Sequence, residues 1–481
     1  MTDKYDLVLV GTGFASSFFL KKYLEKKGKD VRVLVLERGS FISSKERRES
    51  SMQEPYGLRK MTTFEGIPED FYTTNDPLKP WTFDPNYGGS SNCWTGNTPR
   101  FMPNDFRMKT MYDVGQDWPI SYDDLEPYYC ETEAIMSIAG PEETPYPMSV
   151  PYPQPPHKMG TVDTLLHKEY GNLYNSQASA RATRRVGKRG VCCSSSICHS
   201  CPVNAKFTIE NSMAYLYEDP RVDLEFNCIV YNLIMDANVV KAVVYKKDGV
   251  EKKAYGEVVG LGANAIFNAQ ILKNAGDSND FTGRYISEQK GILATFFLDG
   301  LSNLGSSSIV SANGFMIYDG EHRKEYAACL IENDNKPRVR AEKGKWRDLV
   351  RFRFVFEDLP QYENRVLAGE DEFTPHIQWL GSPAYVDKAF ENLKANLSKT
   401  FSPLPIERII FDLSWQATES HICSSTIMGT DSGNSVLDKN LIHHTYRNLF
   451  VLGSGAFTTV SPANPTLTLS ALSLMSADKN F

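Results

Sequence analysis

The sequence predicts an α/β chain, α+β overall, in which a dinucleotide-type βαβ unit is joined by a second domain that reads as antiparallel sheet. Three observations predict it. The N-terminus reads strand, glycine turn, helix, strand, acid. Residues 205–285 return to α/β patterning. Between residues 290 and 415 the apolar residues alternate, with a strict period of two in the middle of Leu349–Phe356, as in a sheet with one face on a core.

The elements follow in chain order. Tyr5–Val10 is an apolar run of β-formers, and Gly11-Thr-Gly13-Phe14-Ala15-Ser16 comes next. Ser17 to Lys27 reads as a helix, with Gly28 past its end. Val31–Leu36 is a second buried strand ending in Glu37. Gly11 allows the tight turn, Gly13 lets a pyrophosphate approach the backbone, and the helix N-terminus offers N–H groups and a positive dipole end. Glu37 stands where a carboxylate accepts from a ribose. Ser16, small but not glycine, occupies the third glycine position.

Residues 40–80 read as polar and irregular, and the prolines of 144–156 as a rigid connection or lid. Val222–Ile234, Val239–Lys246 and Glu257–Leu261 read as strands, and Asn264–Asn274 as a helix closed by Gly276. The Leu449 segment is again a buried strand, preceded by a turn at His443-His444, and a C-terminal helix follows Asn464-Pro465-Thr466.

Composition excludes whole classes. The chain has 481 residues and a net charge of −7, which argues against a general polyanion binder, so no nucleic-acid partner is expected. No apolar stretch reaches the roughly 18–20 residues of a membrane span. No export leader is legible at the N-terminus, so a cytoplasmic setting is expected, or export with a signal-bearing partner. Four of nine cysteines (Cys192, Cys193, Cys198 and Cys201) fall within ten residues. In a reducing compartment such clustering points to metal ligation more than to disulfides. With Pro202 after the last, the run resembles an iron–sulfur ligand segment. A zinc site using these cysteines and His199, or no ligand at all, are the other readings. Adjacent residues rarely both face one cluster, so Cys198, Cys201 and one of Cys192 or Cys193 are expected, with Cys193 favoured.

Four segments together resemble the glucose–methanol–choline (GMC) flavin oxidoreductases. They are the N-terminal unit through Glu37-Arg38-Gly39; Gly88-Gly89-Ser90-Ser91-Asn92-Cys93-Trp94-Thr-Gly96 with Trp118–Tyr129; Val258–Ala263 with Ala269–Leu272; and His421–Gly429 with Ala463–Thr468. Within the family the resemblance is to pyranose oxidases and to the iron–sulfur flavin subunits of bacterial sugar dehydrogenases, the second more closely. It implies a Rossmann-like FAD-binding domain assembled from 1–100, 186–285 and 420–481, interleaved with a substrate domain built on a large antiparallel sheet, with its connection, from 101–185 and 286–419. It implies FAD contacts at Gly11, Gly13, Phe14, Ala15, Ser16, Glu37, Arg38, the Gly88–Gly96 turn, Ile229, Gly262, Ala263, Gly455, Asn464, Pro465 and Thr466. His421 matches the family's catalytic base and Asn464 its partner; an ordinary imidazole suits that role near neutral pH. At Cys93 some relatives carry a histidine covalently bound to FAD, so non-covalent flavin, a cysteinyl flavin and a redox thiol all stay open.

The resemblance further implies oxidation of a sugar, glycoside or cyclic polyol, with electrons leaving through a [3Fe-4S] cluster to a cytochrome or ferredoxin-like partner. The alternatives are a flavin oxidase producing hydrogen peroxide, with zinc or nothing on the cysteines, and a flavin-bearing electron-transfer or scaffold subunit.

Overall fold

The computed structural model describes residues 4–53, 71–196, 198, 201–412 and 414–481, the side chains of 50–53 excepted. Its first sheet has the order β5-β2-β1-β8-β7-β6, with β16 also on β8. These strands are β1 (Lys4–Val10), β2 (Val33–Leu36), β5 (Val222–Glu225), β6 (Cys228–Asp236), β7 (Val239–Lys247), β8 (Val250–Leu261) and β16 (Leu449–Val451). β5, β2, β1, β8 and β16 run parallel, while β6 and β7 form an antiparallel flap on the first half of β8. Helix α1 (Phe14–Lys26) covers β1 with Phe18, Phe19, Leu20, Tyr23 and Leu24 buried. It begins at Phe14, earlier than Ser17, because Gly13 already serves as its N-cap.

The second sheet is wholly antiparallel, with the order β15-β9-β12-β11-β10-β4. It contains β4 (Tyr174–Ser176), β9 (Lys290–Leu298), β10 (Val310–Gly314), β11 (Cys329–Asp334), β12 (Leu349–Phe356) and β15 (Ile406–Phe411). The period of two at 349–356 is explained by its faces. Val350, Phe352, Phe354 and Phe356 enter a core with Ile292, Phe296 and Ile331, whereas Arg351 and Arg353 face the other way.

Several expectations are corrected. The run 222–234 is two strands, broken where Asn227 takes φ 57° and Cys228 N bonds to Glu37 O. The stretch 40–80 contains a helix, α2 (Ser44–Gln53). Its start is a capping box: Ser43 and Glu46 exchange side-chain and backbone bonds at 2.7–3.2 Å. The alternating region also contains a helix, α5 (Ala384–Thr400), whose Val386, Ala389, Leu393 and Leu397 close the core under the second sheet. The remaining helices used below are α3 (Tyr122–Met136), α4 (Asn264–Asn274) and α6 (Thr466–Asn480). At the expected His443-His444 turn, His443 instead forms a β-bridge with Leu437 and is buried, with Nε2 3.2 Å from Asp277. Among the described residues no helix is long and apolar enough to cross a membrane.

Candidate active site

Val10 pairs with both Leu36 and Leu261, so Gly11, Glu37 and Gly262 stand side by side at the carboxyl ends of three parallel strands. Gly11 has φ 83°, and a Cβ there would lie 2.7 Å from the Gly262 carbonyl oxygen, so only glycine fits. Gly13 is different. Its φ is −71°, and a Cβ would meet nothing within 4 Å. The space over Gly13 is therefore open at the N-terminus of α1, where a pyrophosphate is favoured. Ser16 donates to Val10 O at 3.0 Å, and its hydroxyl fills the space where Gly262 would bear a side chain.

Glu37 Oε2 accepts from Thr12 N at 2.9 Å and Thr12 Oγ1 at 2.6 Å, and Oε1 accepts from Gly39 N at 3.0 Å. Burial raises its carboxyl above the usual range, opposed by these bonds. The Thr12 hydroxyl also accepts from Gly88 N at 2.9 Å, which seats the second glycine turn on the first. The other end of that turn is held by Lys206 Nζ, donating to Asn92 O at 2.9 Å and Trp94 O at 2.8 Å. Trp94 meets Phe14 edge-on, with ring centroids 4.7 Å apart. The Arg38 guanidinium lies 4.4 and 4.7 Å over the rings of Phe71 and Phe267, and burial there pushes it down to about 10. Ile229 follows Cys228 on β6, Ala263 N donates to Asn268 Oδ1 on α4 at 2.9 Å, and Gly455 packs against Thr426 and Ala265. The open cradle at Gly13, flanked by Glu37, Arg38 and the Gly88–Gly96 turn, fits an FAD.

His421 is held from one side by a glutamine. Its Nδ1 lies 2.5 Å from Gln289 Oε1. Gln289 Nε2 donates to Ser461 O at 2.5 Å and to Ala463 O at 2.8 Å. Those two acceptors fix the amide orientation, so Oε1 is the acceptor and His421 Nδ1 carries the proton. Nε2 is left as the basic nitrogen. Burial, with Arg353 nearby, pushes His421 down to about 3, which keeps the imidazole neutral and able to take a proton. Its backbone N–H donates to Glu288 Oε1 at 2.7 Å.

Asn464 follows directly on the segment that Gln289 holds and precedes α6. It is 8 % exposed, and its Oδ1 has no hydrogen-bond partner among the described residues. An unmet buried acceptor costs about 1–3 kcal/mol. A ligand donor would satisfy it. Gln289 carries no motif and was not legible as a site residue in the sequence.

The cysteines divide. Cys198 is buried, Cys192 and Cys201 are half-buried, and Cys193 is exposed. Burial raises both Cys192 and Cys198; Arg181 opposes this, while Cys192 feels Cys198 and Cys201, and Cys198 feels Cys201. Cys192, the less favoured of the adjacent pair, is thus the one grouped with Cys198 and Cys201. Lys206 is pushed down to about 8 by burial and lies in the field of Cys93, Cys198 and Cys201. Cys198 and Cys201 thus lie within electrostatic reach of the Lys206 ammonium that holds the Gly88–Gly96 turn. Among the described residues no three His, Cys, Asp or Glu side chains converge on a metal-binding point, and His199 lies outside the described residues. The three thiols have the donor chemistry for a cluster but are not closed around one.

A family model described as GMC oxidoreductase matches residues 382–473, the span from α5 through His421 and Asn464 into α6. The chain is 28% identical to the fructose dehydrogenase large subunit of Gluconobacter japonicus, covering 98% of this chain and 97% of that one. Residues 382–473 thus carry the C-terminal domain of the GMC oxidoreductases, and the similarity to such enzymes runs the length of the chain. A 2-methyl-1,2-propanediol dehydrogenase of Mycolicibacterium austroafricanum is 23% identical over 99% of this chain and 95% of its own. The crystal structure of pyridoxine 4-oxidase from "Mesorbium loti" shares the fold, with a TM-score of 0.66, 15% identity and 99% of both chains covered. The protein is an oxidoreductase acting on CH–OH donors.

Proposed function

We propose that this oxidoreductase is an FAD-dependent dehydrogenase that oxidises a secondary or hemiacetal hydroxyl of a sugar, glycoside or cyclic polyol to a carbonyl. The carrying observation is the Gln289 bridge, which leaves His421 Nε2 as a neutral base and ties the ring to the segment that leads into Asn464. Bound FAD supplies the acceptor for the two electrons and the hydrogen of the C–H bond. The protein's part is proton transfer and positioning. His421 Nε2 takes the hydroxyl proton. The Asn464 amide donates to the reacting oxygen as it gains negative charge. Gln289 keeps the imidazole in the right tautomer and orientation.

Cys192, Cys198 and Cys201 are the residues that would hold a [3Fe-4S] cluster, which when bound supplies a one-electron exit to a protein acceptor such as a cytochrome or ferredoxin-like protein. Support comes from Cys198 and Cys201 acting on Lys206, which holds the Gly88–Gly96 turn, and from the relative named as a large subunit of fructose dehydrogenase. Anaerobic purification with iron and acid-labile sulfide analysis, followed by mixing with a sugar panel, tests both parts. Flavin bleaching with about three irons and matching sulfide per chain is the expected result. Bleaching without iron, accompanied by hydrogen peroxide in air, would replace the dehydrogenase with an oxidase. No bleaching by any alcohol would sink the alcohol-oxidation reading.

A further inference from the structure

The second sheet has two unlike faces. On one, Ile292, Phe296, Ile331, Phe352 and Phe354 pack on α5. On the other, strand register places Asn313, Glu332, Arg353 and Leu293 in a single cross-strand row, which Asn175 of β4 extends. Residues two apart in a strand share a face. Gln289, at the entrance to β9, therefore lies on the same face as Gly291 and Leu293, and so on the same face as the row. Two bonds anchor the row to the candidate site. Glu332 Oε1 accepts from Asn97 Nδ2 at 3.1 Å, and Asn97 directly follows the Gly88–Gly96 turn. Arg353 Nη1 donates at 2.5 Å to Glu419 Oε2, two residues before His421. Glu419 in turn lies directly over Gly291, where a side chain would collide with its carboxyl.

Several buried acceptors on and beside this face want donors, while Arg351 Nε on the same face lacks an acceptor among the described residues. Asn313 is 1 % exposed and Glu332 5 %. Asn313 Oδ1, Glu419 Oε1 and Asn464 Oδ1 are buried with no hydrogen-bond partner among the described residues. A hydrophobic alcohol with one hydroxyl would use its only donor on His421 and leave the rest unmet. A substrate with several hydroxyls could satisfy them. A site built to bond a substrate hydroxyl rejects analogues that lack it far more strongly than an apolar pocket rejects a missing methylene.

We propose that the Asn313–Glu332–Arg353 row reads the non-reacting hydroxyls of the substrate, with Glu332 as the specificity-determining residue, and that the substrate carries at least two hydroxyls besides the one oxidised. This rests on the alcohol-oxidation reading above. Glu332 accepts from one of those hydroxyls while Arg353, held by Glu419, donates to the oxygen of another.

The test uses the full FAD-loaded chain. Steady-state and anaerobic bleaching rates are measured for D-glucose, myo-inositol and cyclohexanol. The wild-type enzyme is expected to prefer a polyhydroxylated compound to cyclohexanol. Glu332→Gln and, separately, Asn313→Leu are expected to shrink that preference, as a ratio of kcat/KM values, roughly 10- to 100-fold, mainly through KM. Flavin content and melting temperature are followed for both variants. A wild-type enzyme that bleaches with cyclohexanol as readily as with any polyol overturns the proposal while leaving alcohol oxidation intact. An unchanged ratio in both variants, or equal losses on all substrates, overturns it too. Wild-type enzyme that no alcohol bleaches removes the underlying reading, and the proposal with it.

Discussion

Gln289 does for His421 what no property of the histidine itself could do. An isolated imidazole has two tautomers, and only one leaves Nε2 basic. Two backbone carbonyls, from Ser461 and Ala463, orient the glutamine amide, and the amide orients the ring. Gln289→Leu should therefore lower kcat by about 10- to 100-fold with little change in KM, while His421→Gln should cost on the order of 10²–10⁴. Steady-state kinetics on one substrate checks both, and equal, small losses would remove His421 as the base. Burial has a second effect. In the unfolded chain histidine takes up a proton near pH 6.5, about where the free side chain titrates, whereas in the fold His421 is held to about 3. Below about pH 6.5 the unfolded state binds a proton that the folded state refuses, so stability falls as pH drops toward 3. The flavin-stripped wild type should lose more melting temperature between pH 7 and 5 than flavin-stripped His421→Gln does. A parallel loss in both would show that other groups, such as the buried His157, dominate the acid response.

At the scale of elements, the two glycines of the first turn make separable predictions. Gly11→Ala forces a residue with φ 83° against the Gly262 carbonyl, so it damages the protein itself. Gly13→Ala meets no protein atom and keeps an ordinary φ, so its methyl can obstruct only what occupies the open space. Gly13→Ala should purify with an unchanged apo melting temperature and little FAD; Gly11→Ala should lose both. Absorbance and calorimetry on the two variants decide it, and full flavin occupancy in Gly13→Ala would move the dinucleotide elsewhere. The same turn shows why part of the fold is legible in sequence. Strand, glycines, helix and acid are contiguous, and each constraint acts within a few residues. The α2 capping box, Ser43 with Glu46, was equally local, but lay in a stretch whose charge reads as loop. Helix α5 was hidden for another reason. Its buried residues, Val386, Ala389, Leu393 and Leu397, recur at helical spacing inside a region dominated by strands, and what selects the helix is the apolar face of β9, β11 and β12 that it must cover.

On the scale of the whole molecule, each sheet is stitched from distant stretches of chain. The first sheet draws on residues 4–36, 222–261 and 449–451, and the second, antiparallel one on 174–176, 290–356 and 406–411. His421 and Asn464 were legible because each sits in a short run of residues with a recognisable order. Glu332 and Arg353 were not, because a strand register that no local window contains brings them together, and Gln289 and Glu419 were not, because bonds to Ser461, Ala463 and Arg353 across the chain place them. The cysteine run lies between these cases: the sequence shows four thiols, and only the fold separates exposed Cys193 from the other three. That separation yields the sharpest prediction for the electron route. Replacing Cys192, Cys198 or Cys201 by serine should strip iron and sulfide from anaerobically purified protein, whereas Cys193→Ser should keep both. In the three depleted variants substrate should still bleach the flavin, because the His421 site is untouched, but turnover with a one-electron protein acceptor should collapse. If Cys193→Ser loses iron and Cys192→Ser retains it, the grouping of thiols described here is wrong. If all four variants keep full acceptor turnover, the electrons leave the flavin by another path and the cysteines serve only the fold around the Gly88–Gly96 turn.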